Sequence, residues 1–297
     1  MINEKNIKTL GTHSGKFHAD DVMATAILRI LLGDIKVTRT RDEDILKKLD
    51  FVYDISLGEF DHHQLNKEMR ENEVPFAACG LVWREFGSRV IQKFNSQLDE
   101  SDINSIFDSI DKSLVQGIDA TDNGIDIKSE INVTSISDII QNFNPGWDSS
   151  DSKDEAFEDA VKFAAVVIRR MISRQVSVIK ARTIVNQAFK NRNSKEIMVL
   201  ETGCPWLQQL HKIDINNEVL FVISPDDDNV EYKLQTVKKT ADSFEARKDI
   251  LESIRGKSSE EINSIIKIDD AIFCHKAGFI ASTKSLESAL KIAKLSV

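Results

Sequence analysis

The sequence predicts an α/β protein of two domains joined by a long helix. Short strand-like segments alternate with apolar helical segments in the first part of the chain, which is typical of a largely parallel sheet. Apolar residues then keep a helical period from about Asp154 to Arg192, and strand-like segments return afterwards. We therefore predict a first domain over residues 1–192, including the connecting helix, and a smaller α/β domain over residues 193–297.

The elements of the first domain follow one another closely. Lys8–Thr12 has the character of a short strand, and an apolar helix follows over Ala19–Leu32, with Gly33 as its stop. Open α/β sheets place their ligands at such strand-to-helix junctions. Further strands are predicted at Ile35–Thr38, Phe51–Asp54 and Glu59–Asp61, and helices at Ala77–Phe94 and Ile103–Ile118.

The second domain shows a similar mixture without an internal repeat. Strands are predicted at Glu196–Leu200, Val219–Ser224, Glu231–Val237 and Ala271–His275, and a final helix near Lys284–Lys294.

Composition limits the function classes. The net charge of −9 over 297 residues counts against a protein that coats nucleic acid passively, because such binding needs a basic excess. A polyanionic substrate remains compatible if metal ions and local basic side chains offset the charge. Three widely spaced cysteines without a CxxC pair predict free thiols rather than disulfides or a zinc knuckle.

The sequence gives no indication of a membrane protein. No stretch approaches the roughly 20 apolar residues that span a bilayer, and the N-terminal residues lack the features of a signal or transit peptide. We expect a cytoplasmic protein with no membrane partner.

The first chemical motif lies where the first strand ends and the first helix begins. It contains His13, Lys16, His18, Asp20 and Asp21. Imidazole and carboxylate groups at this density suit a divalent metal ion. The alternative is a set of helix caps and solvated charges, which would explain one aspartate but leave two histidines without a role.

The second motif follows an apolar strand that ends in Asp54. Seven residues later come Asp61, His62 and His63. Adjacent histidines can give one ring to a metal, while the other ring orients a ligand or meets the substrate. A strand-ending aspartate and a chance histidine pair on an exposed loop are the alternative.

The third motif places Asp119 and Asp122 at the end of a helix. Acidic groups there oppose the helix dipole, and a bound cation would relieve this. The two residues share a face if the helix persists. An Asp-Asn-Gly turn explains Asp122 equally well, but it does not explain Asp119.

In this order, the three motifs resemble the DHH phosphoesterase superfamily, and within it the melanocyte-proliferating-gene (MYG) family of metal-dependent hydrolases. Later segments look like motifs of the same family: Asn144–Trp147, Cys204–Trp206 with His211, Ser243–Arg247 and His275–Ile280. The resemblance implies a DHH-type parallel-sheet domain with two divalent ions, Mn²⁺ in the first instance and Mg²⁺ as the alternative. The metal ligands it implies are His13, His18, Asp20, Asp54, His62 and Asp119. Asp54 is the expected bridge between the ions. The superfamily usually carries an aspartate where His18 stands.

The remaining roles follow from the same resemblance. His63, held by Asp61, is expected to orient the attack or to protonate the leaving group, and Lys16, with Arg39 or Arg41, to face the phosphate. Asp21 and Asp122 are expected to support the ligands. In the second domain, the residues expected to bind a phosphate or a sugar are Arg247, His275, Lys276, Gly278 and Lys284. A helix predicted to begin at Ser282–Lys284 would add an anion site at its N-terminus. A plain strand–turn–helix is the alternative there. Trp147 and Trp206 could stack on bases, but core positions are expected for both.

The sequence thus favours a metal-dependent phosphodiesterase, a 3′–5′ exonuclease on RNA or short oligonucleotides bound in a cleft between the domains. One alternative is a phosphohydrolase of pyrophosphate, polyphosphate or a dinucleotide, which the negative net charge favours. The other is a non-catalytic, metal-binding regulatory protein. The sequence also allows a homodimer.

Overall fold

The structure is a computed structural model, and it describes residues 2–64, 67–125, 130–131, 133–226, 228, 230–240 and 242–297. The chain divides into two compact units, Met1–Val176 and Ser177–Val297. The division falls inside a long helix, α7 (Lys153–Lys190), whereas the boundary predicted from sequence lies just beyond that helix.

The first unit is built on a small parallel sheet. Its strands are β1 (Thr9–Thr12), β2 (Lys36–Arg39) and β3 (Phe51–Val52), in the order β2-β1-β3, and both pairings are parallel. This confirms the predicted α/β class with a parallel sheet. The helices of this unit are α1 (Ala19–Leu32), α2 (Glu43–Leu46), α3 (Ala78–Phe94), α4 (Glu100–Ile110), α5 (Gln116–Asp122), α6 (Ile136–Gln141) and the first part of α7.

Two sequence predictions for this unit need correction. Residues Glu59–Asp61, predicted as a strand, lie in an irregular loop. The helix predicted over Ile103–Ile118 is interrupted by a π-helical turn at Asp111–Val115, which joins α4 to α5. A π turn changes the number of residues per turn and therefore rotates the faces of the residues that follow it.

The parallel pairing of β1 with β3 determines where the chemical motifs lie. Leu10 pairs with Phe51 and Gly11 with Val52, so both strands run toward the same edge of the sheet. His13 directly follows β1, and Asp54 follows β3. These two side chains therefore leave the sheet at one edge, beside the start of α1.

Helix α1 holds this edge in place because most of its surface is buried. Val22, Met23 and Ile27 have no exposed area, and α1 packs against α3, whose Trp83 and Phe86 are also fully buried. Burial of such side chains stabilises the unit by about 1.5–3 kcal/mol each.

The second unit contains a mixed five-stranded sheet in the order β4-β5-β6-β8-β7. The β4–β5 pair is parallel, and the other pairs are antiparallel. The strands are β4 (Ile197–Val199), β5 (Phe221–Pro225), β6 (Tyr232–Thr236), β7 (Ala271–Cys274) and β8 (Ile280–Thr283), and the helices besides the end of α7 are α8 (Leu207–Ile213), α9 (Ser259–Ile266) and α10 (Leu286–Ser296).

The helix start predicted at Ser282–Lys284 is wrong, because Ser282 and Thr283 belong to β8 and α10 begins at Leu286 behind the cap Ser285. Cys79, Cys204 and Cys274 are free thiols, as the sequence predicted. Within the described part of the chain, every helix is too short or too polar to cross a membrane.

Candidate metal centre

The side chain of His13 lies between two buried carboxylates. Its Nε2 atom is 3.2 Å from Asp54 Oδ2 and 3.4 Å from Asp21 Oδ2. One ligand atom from each of these three residues lies within 4.8 Å of the other two. The sheet edge thus provides a first group that could hold a divalent ion.

A second group forms beside the first, at the start of α1 and the end of α5. It consists of His18, Asp20 and Asp122, whose ligand atoms also lie within 4.8 Å of one another. Asp122 Oδ1 is 3.6 Å from His18 Nδ1. The burial differs within the group, since Asp20 is fully buried whereas the His18 side chain is about half exposed.

The ring of His62 connects the two groups. Its Nε2 is 2.9 Å from Asp122 Oδ2, and its Nδ1 is 3.4 Å from Asp54 Oδ1 and 3.8 Å from Asp20 Oδ2. One imidazole therefore lies beside carboxylates from α1, from α5 and from the loop that follows β3. Side chains from all three sequence motifs meet around this ring.

His63 and Asp61 form a third group with Asp54 and His62, whose ligand atoms also lie within 4.8 Å of one another. His63 Nδ1 is 2.6 Å from Asp61 Oδ1, and the same carboxylate accepts the backbone N–H groups of His63 and Leu57. Burial would raise the pKa of Asp61, but these hydrogen bonds outweigh it and hold the pKa below its usual value. Asp61 is therefore a satisfied carboxylate that orients an exposed ring.

Several buried atoms in the centre lack a hydrogen-bond donor or acceptor. They are both Oδ atoms of Asp20, Asp21 Oδ2, Asp54 Oδ1 and His62 Nδ1, none of which has such a partner among the described residues. An unsatisfied buried charged group costs about 1–3 kcal/mol or more. Carboxylate oxygens and imidazole nitrogens are ligands for Mn²⁺ and Mg²⁺. The residues present therefore fit a pair of divalent cations.

The pKa values of two aspartates in the centre reflect the same excess of negative charge. Burial, together with the nearby Asp54 and Asp122 carboxylates, raises the pKa of Asp20 well above its usual value. Burial raises the pKa of Asp21 to about 7, although His13 acts in the opposite direction. Without a cation, the centre thus favours bound protons.

Neighbouring carboxylates raise the pKa of both buried histidines of the centre, His13 and His62. Burial alone would lower the pKa of His13, but its hydrogen bond with Asp54 raises it overall. For His62, burial is likewise outweighed by the bond with Asp122. Positive charge is therefore stabilised on both rings.

Asp54 has an unusual backbone conformation. Its φ is +58°, in the left-handed region, and Ser56 and Leu57 follow with φ of +73° and +53°. This region is rarely occupied by residues other than glycine, although aspartate tolerates it better than most. Local strain of this kind is concentrated at functional sites, and here it turns the Asp54 side chain toward His13 and His62.

Asp119, the remaining predicted ligand, lies outside the three groups. Its Oδ1 accepts the backbone N–H of Gly80 at 2.9 Å, and its Oδ2 is 2.8 Å from Arg70 Nη2. A Cβ on Gly80 would come within 1.9 Å of Asp119 Oδ2, so only glycine fits there. Burial raises the pKa of Asp119 to about 7, with Arg70 opposing the shift. Asp119 thus contacts the first turn of α3, and Asp122 reaches the centre instead.

Comparison with known proteins identifies the family. Residues 9–297 match the sequence profile MYG1_exonuc, described as an uncharacterised protein family (UPF0160). The chain belongs to this family. This confirms the resemblance that the motifs indicated.

The MYG1 relatives are similar over almost their whole length. The chain is 31% identical to the MYG1 protein of Saccharomyces cerevisiae, with 100% of this chain and 97% of the yeast chain covered. It is 30% identical to the MYG1 exonuclease of Homo sapiens, with 96% and 84% covered. A solved structure, the pGpG-specific phosphodiesterase PggH from Vibrio cholerae, matches 97% of this chain and 96% of its own, but at 10% identity and a TM-score of 0.32. This last similarity is too low to support a statement about fold or activity.

The predicted phosphate-facing residues of this MYG1 family member differ in their surroundings. Lys16 is exposed in the loop between β1 and α1, and Arg41 is exposed as well. Arg39 is instead committed to structure, because its guanidinium binds Asp154 Oδ1 at 2.6 Å and Gly15 O at 2.8 Å.

The predicted substrate residues of the second unit fall into two sets. His275, Lys276 and Gly278 form the turn between β7 and β8, where Gly278 has a φ of +72° and the His275 N–H bonds to Ile280 O. Lys284 follows β8. Arg247 is separate from them within this unit.

The Arg247 guanidinium is buried and forms an ion pair with Asp214, and it also donates to Val219 O at 2.9 Å. It is therefore a structural group inside the unit. The two tryptophans also differ: Trp206 is buried as expected, whereas the expectation of a core position for Trp147 is wrong, because that residue is 98% exposed.

Proposed function

We propose that this protein is a phosphodiesterase that depends on two divalent metal ions, Mn²⁺ or Mg²⁺, and that it acts as a 3′–5′ exonuclease on RNA or short oligonucleotides. The observation that carries the proposal is the buried centre around His62, with its unsatisfied carboxylate oxygens. The name of its mammalian relatives, MYG1 exonuclease, agrees with it.

The proposed ligands are distributed over two neighbouring positions. His13, Asp21 and Asp54 would hold one ion, and His18, Asp20 and Asp122 the other. His62 contacts carboxylates of both groups. Asp21 and Asp122, expected from the sequence only to support the ligands, replace Asp119 in this proposed set.

Asp54 is the candidate for a shared ligand. It belongs to two of the groups that could hold an ion, and its two oxygens contact different histidines, His13 and His62. This supports the earlier assignment of Asp54 as the bridge.

When bound, such ions polarise the phosphate and lower the pKa of a water molecule. The protein's own side chains fix the geometry around them. Because Asp61 Oδ1 lies 2.6 Å from His63 Nδ1, that carboxylate orients the ring. The exposed side of that ring can then donate a proton to the leaving oxygen.

Substrate binding outside the centre stays a prediction. Lys16, exposed in the loop that carries His13 and His18, is available to a phosphate. In the second unit, His275, Lys276 and Lys284 are the candidates for phosphate or sugar contacts. Gly278 would allow a ligand to approach the backbone closely.

The test uses a ten-nucleotide RNA labelled at its 5′ end, with Mn²⁺ or with a chelator. We expect wild type to shorten the RNA stepwise, which leaves a ladder of labelled products, whereas immediate release of a labelled mononucleotide would indicate the opposite polarity. His62→Ala should lose this activity, and His211→Ala, a histidine change in the second unit, should keep it. Equal product from wild type and His62→Ala would rule out the proposed centre.

A phosphohydrolase of small molecules is the second candidate. The net charge of −9 favours it because a strongly acidic protein repels long polyanions. Turnover of pyrophosphate, a linear dinucleotide and the ten-nucleotide RNA should be compared at equal concentrations of the bond that is cleaved. That bond is an anhydride in pyrophosphate and a phosphodiester in the other two substrates. A preference for pyrophosphate or the dinucleotide would select this candidate. No hydrolysis of any of them with metal bound would instead select a regulatory role.

A further inference from the structure

Trp147 is the most exposed tryptophan of the described chain. It is 98% exposed, compared with 0% for Trp83 and 9% for Trp206. Isolated exposed apolar residues are common on proteins and need no explanation by themselves. The position of Trp147 matters because its loop is attached to the metal centre at both ends.

The first attachment is made by Asn144. Its Oδ1 accepts the backbone N–H of Phe17 at 3.0 Å, and its Nδ2 donates to Phe17 O at 2.9 Å. The amide thus satisfies both backbone groups of the residue that precedes His18. Such a bidentate contact fixes the start of the loop relative to the proposed ligand.

The second attachment is made by Arg39. Its guanidinium donates to Gly15 O at 2.8 Å and to Lys153 O at 3.3 Å, and it pairs with Asp154. It therefore joins the loop that carries His13 and His18 to the beginning of α7. Residues 145–152 lie between the two attachments.

Trp147 lies near the first attachment. It is the third residue after Asn144, so their Cα atoms are at most about 11 Å apart. The Ser149 N–H donates to Gly146 O at 3.1 Å, which closes a turn with Trp147 at its corner. The ring is thus displayed on a fixed turn beside the centre.

We propose that Trp147 is a stacking platform for a base of the single-stranded nucleic acid whose terminal phosphate occupies the metal centre. The inference rests on the proposed function and deepens it. Asp148 and Asp151 make this loop acidic, which disfavours contact with phosphates but leaves the aromatic face suited to an uncharged base. Base–aromatic stacking is tolerant of sequence.

The kinetic test compares Trp147→Ala and Trp147→Phe with wild type on the ten-nucleotide RNA. Stacking of one base corresponds to roughly five- to one-hundredfold in binding. We expect Trp147→Ala to raise KM by that factor with little change in kcat, and Trp147→Phe to restore most of it. Turnover of bis(4-nitrophenyl) phosphate, which has no base, should be the same for all three proteins.

Phe244→Ala is the matched control. Phe244 is 99% exposed on a loop of the second unit, and its replacement should leave the KM for RNA unchanged. An unchanged KM for RNA in Trp147→Ala would overturn the proposal and would point to another use of the exposed ring, such as a protein contact. An equal loss for RNA and bis(4-nitrophenyl) phosphate would overturn it too, because the defect would then lie in the centre.

Tryptophan fluorescence separates this inference from the proposed function. Added oligonucleotide should quench the emission of wild type, and the quenching should be absent in Trp147→Phe. If wild type binds but does not hydrolyse RNA, the exonuclease proposal fails while quenching still reports stacking. If hydrolysis occurs and quenching is equal in both proteins, stacking is refuted.

Discussion

The first unit contains two buried acidic regions that are neutralised in different ways. In one, Arg70 lies 2.7 Å from Asp111 and 2.8 Å from Asp119, so a side chain of the protein supplies the positive charge. In the other, Asp20 and Asp54 have only histidine rings as ion-pair partners among the described residues. A buried carboxylate needs a compensating partner. The comparison therefore separates structural carboxylates from those available to a bound cation.

Arg70 shows how complete the first kind of compensation is. Its Nε and Nη2 both bond to Asp111, Nη2 also pairs with Asp119, and the guanidinium lies 4.0 Å from the centre of the Phe76 ring. Burial would lower the pKa of Arg70, but the two carboxylates raise it overall. Asp20 has no arginine or lysine partner among the described residues: His62 Nδ1 lies 3.8 Å from its carboxylate, and its neighbours Asp54 and Asp122 carry charge of the same sign.

The largest expected effect is that of Asp54→Asn. Asparagine tolerates the left-handed backbone at this position, so the change removes the charge of the proposed bridging ligand with little strain. We expect a loss of hydrolysis of about a thousandfold or more, equivalent to several kcal/mol of transition-state stabilisation. Steady-state rates on the labelled RNA measure it.

The same variant should lose its stabilisation by metal. An ion at one hundred times its Kd stabilises a folded protein by about 2.7 kcal/mol per site, and thermal unfolding with and without Mn²⁺ reports this for wild type. A wild type whose unfolding does not respond to Mn²⁺ or Mg²⁺ would contradict the metal centre.

Arg70→Met should produce the next largest effect, on folding rather than on metal binding. It leaves Asp119 and Asp111 without their buried cation, and breaking such a pair costs about 3–5 kcal/mol. Denaturant unfolding in the presence of a chelator measures the loss. The stabilisation by Mn²⁺ should be retained; its disappearance would mean that the two regions are not separate.

Asp20→Asn should act with the opposite sign. In the metal-free protein it replaces a buried carboxyl group whose ionisation is opposed by burial and by the Asp54 and Asp122 charges, and the amide can donate to neighbouring carboxylates. We expect the free energy of unfolding to rise by about 1–3 kcal/mol with chelator present. A destabilised metal-free variant would show that Asp20 has a compensating partner in the folded protein.

The last prediction, the smallest when expressed per pH unit, concerns the pH dependence of stability. Because burial raises the pKa of Asp21 to about 7, the folded metal-free protein binds more protons than the unfolded chain between about pH 4 and pH 7. Its stability should therefore fall as pH rises through this range, by at most ~1.4 kcal/mol per pH unit for one group. Unfolding curves of wild type and Asp21→Asn should diverge with rising pH. Parallel curves would show that Asp21 is ionised in both states.

Much of the fold could be predicted because it depends on local patterns. The apolar period of α7 and the strand–helix alternation of the first unit are local features, and the structure contains both. The β8 strand was missed because its residues, Ile280–Thr283, include a polar Ser-Thr pair that also suits a helix start. The segment is a strand because it pairs with β6 and β7. That pairing cannot be inferred from the sequence of the segment alone.

The candidate site could be predicted in part for a related reason. His13, Asp54 and His62 lie in motifs whose residue types suit metal binding, so their chemistry is visible in the sequence. The sequence does not show, however, whether Asp119 or Asp122 reaches the metal centre. The π-helical turn at Asp111–Val115 changes the helix phase, and Arg70, far earlier in the chain, pairs with Asp119.

The sequence by itself determined the α/β class, the long helix and the set of histidines and aspartates suited to divalent cations, because these follow from local periodicity and side-chain chemistry. Only the tertiary structure decided which carboxylates are neutralised by arginine and which have only histidine rings beside them. It also decided that Trp206 is buried while Trp147 is exposed. The physical reason is that burial and charge compensation depend on partners from distant parts of the chain.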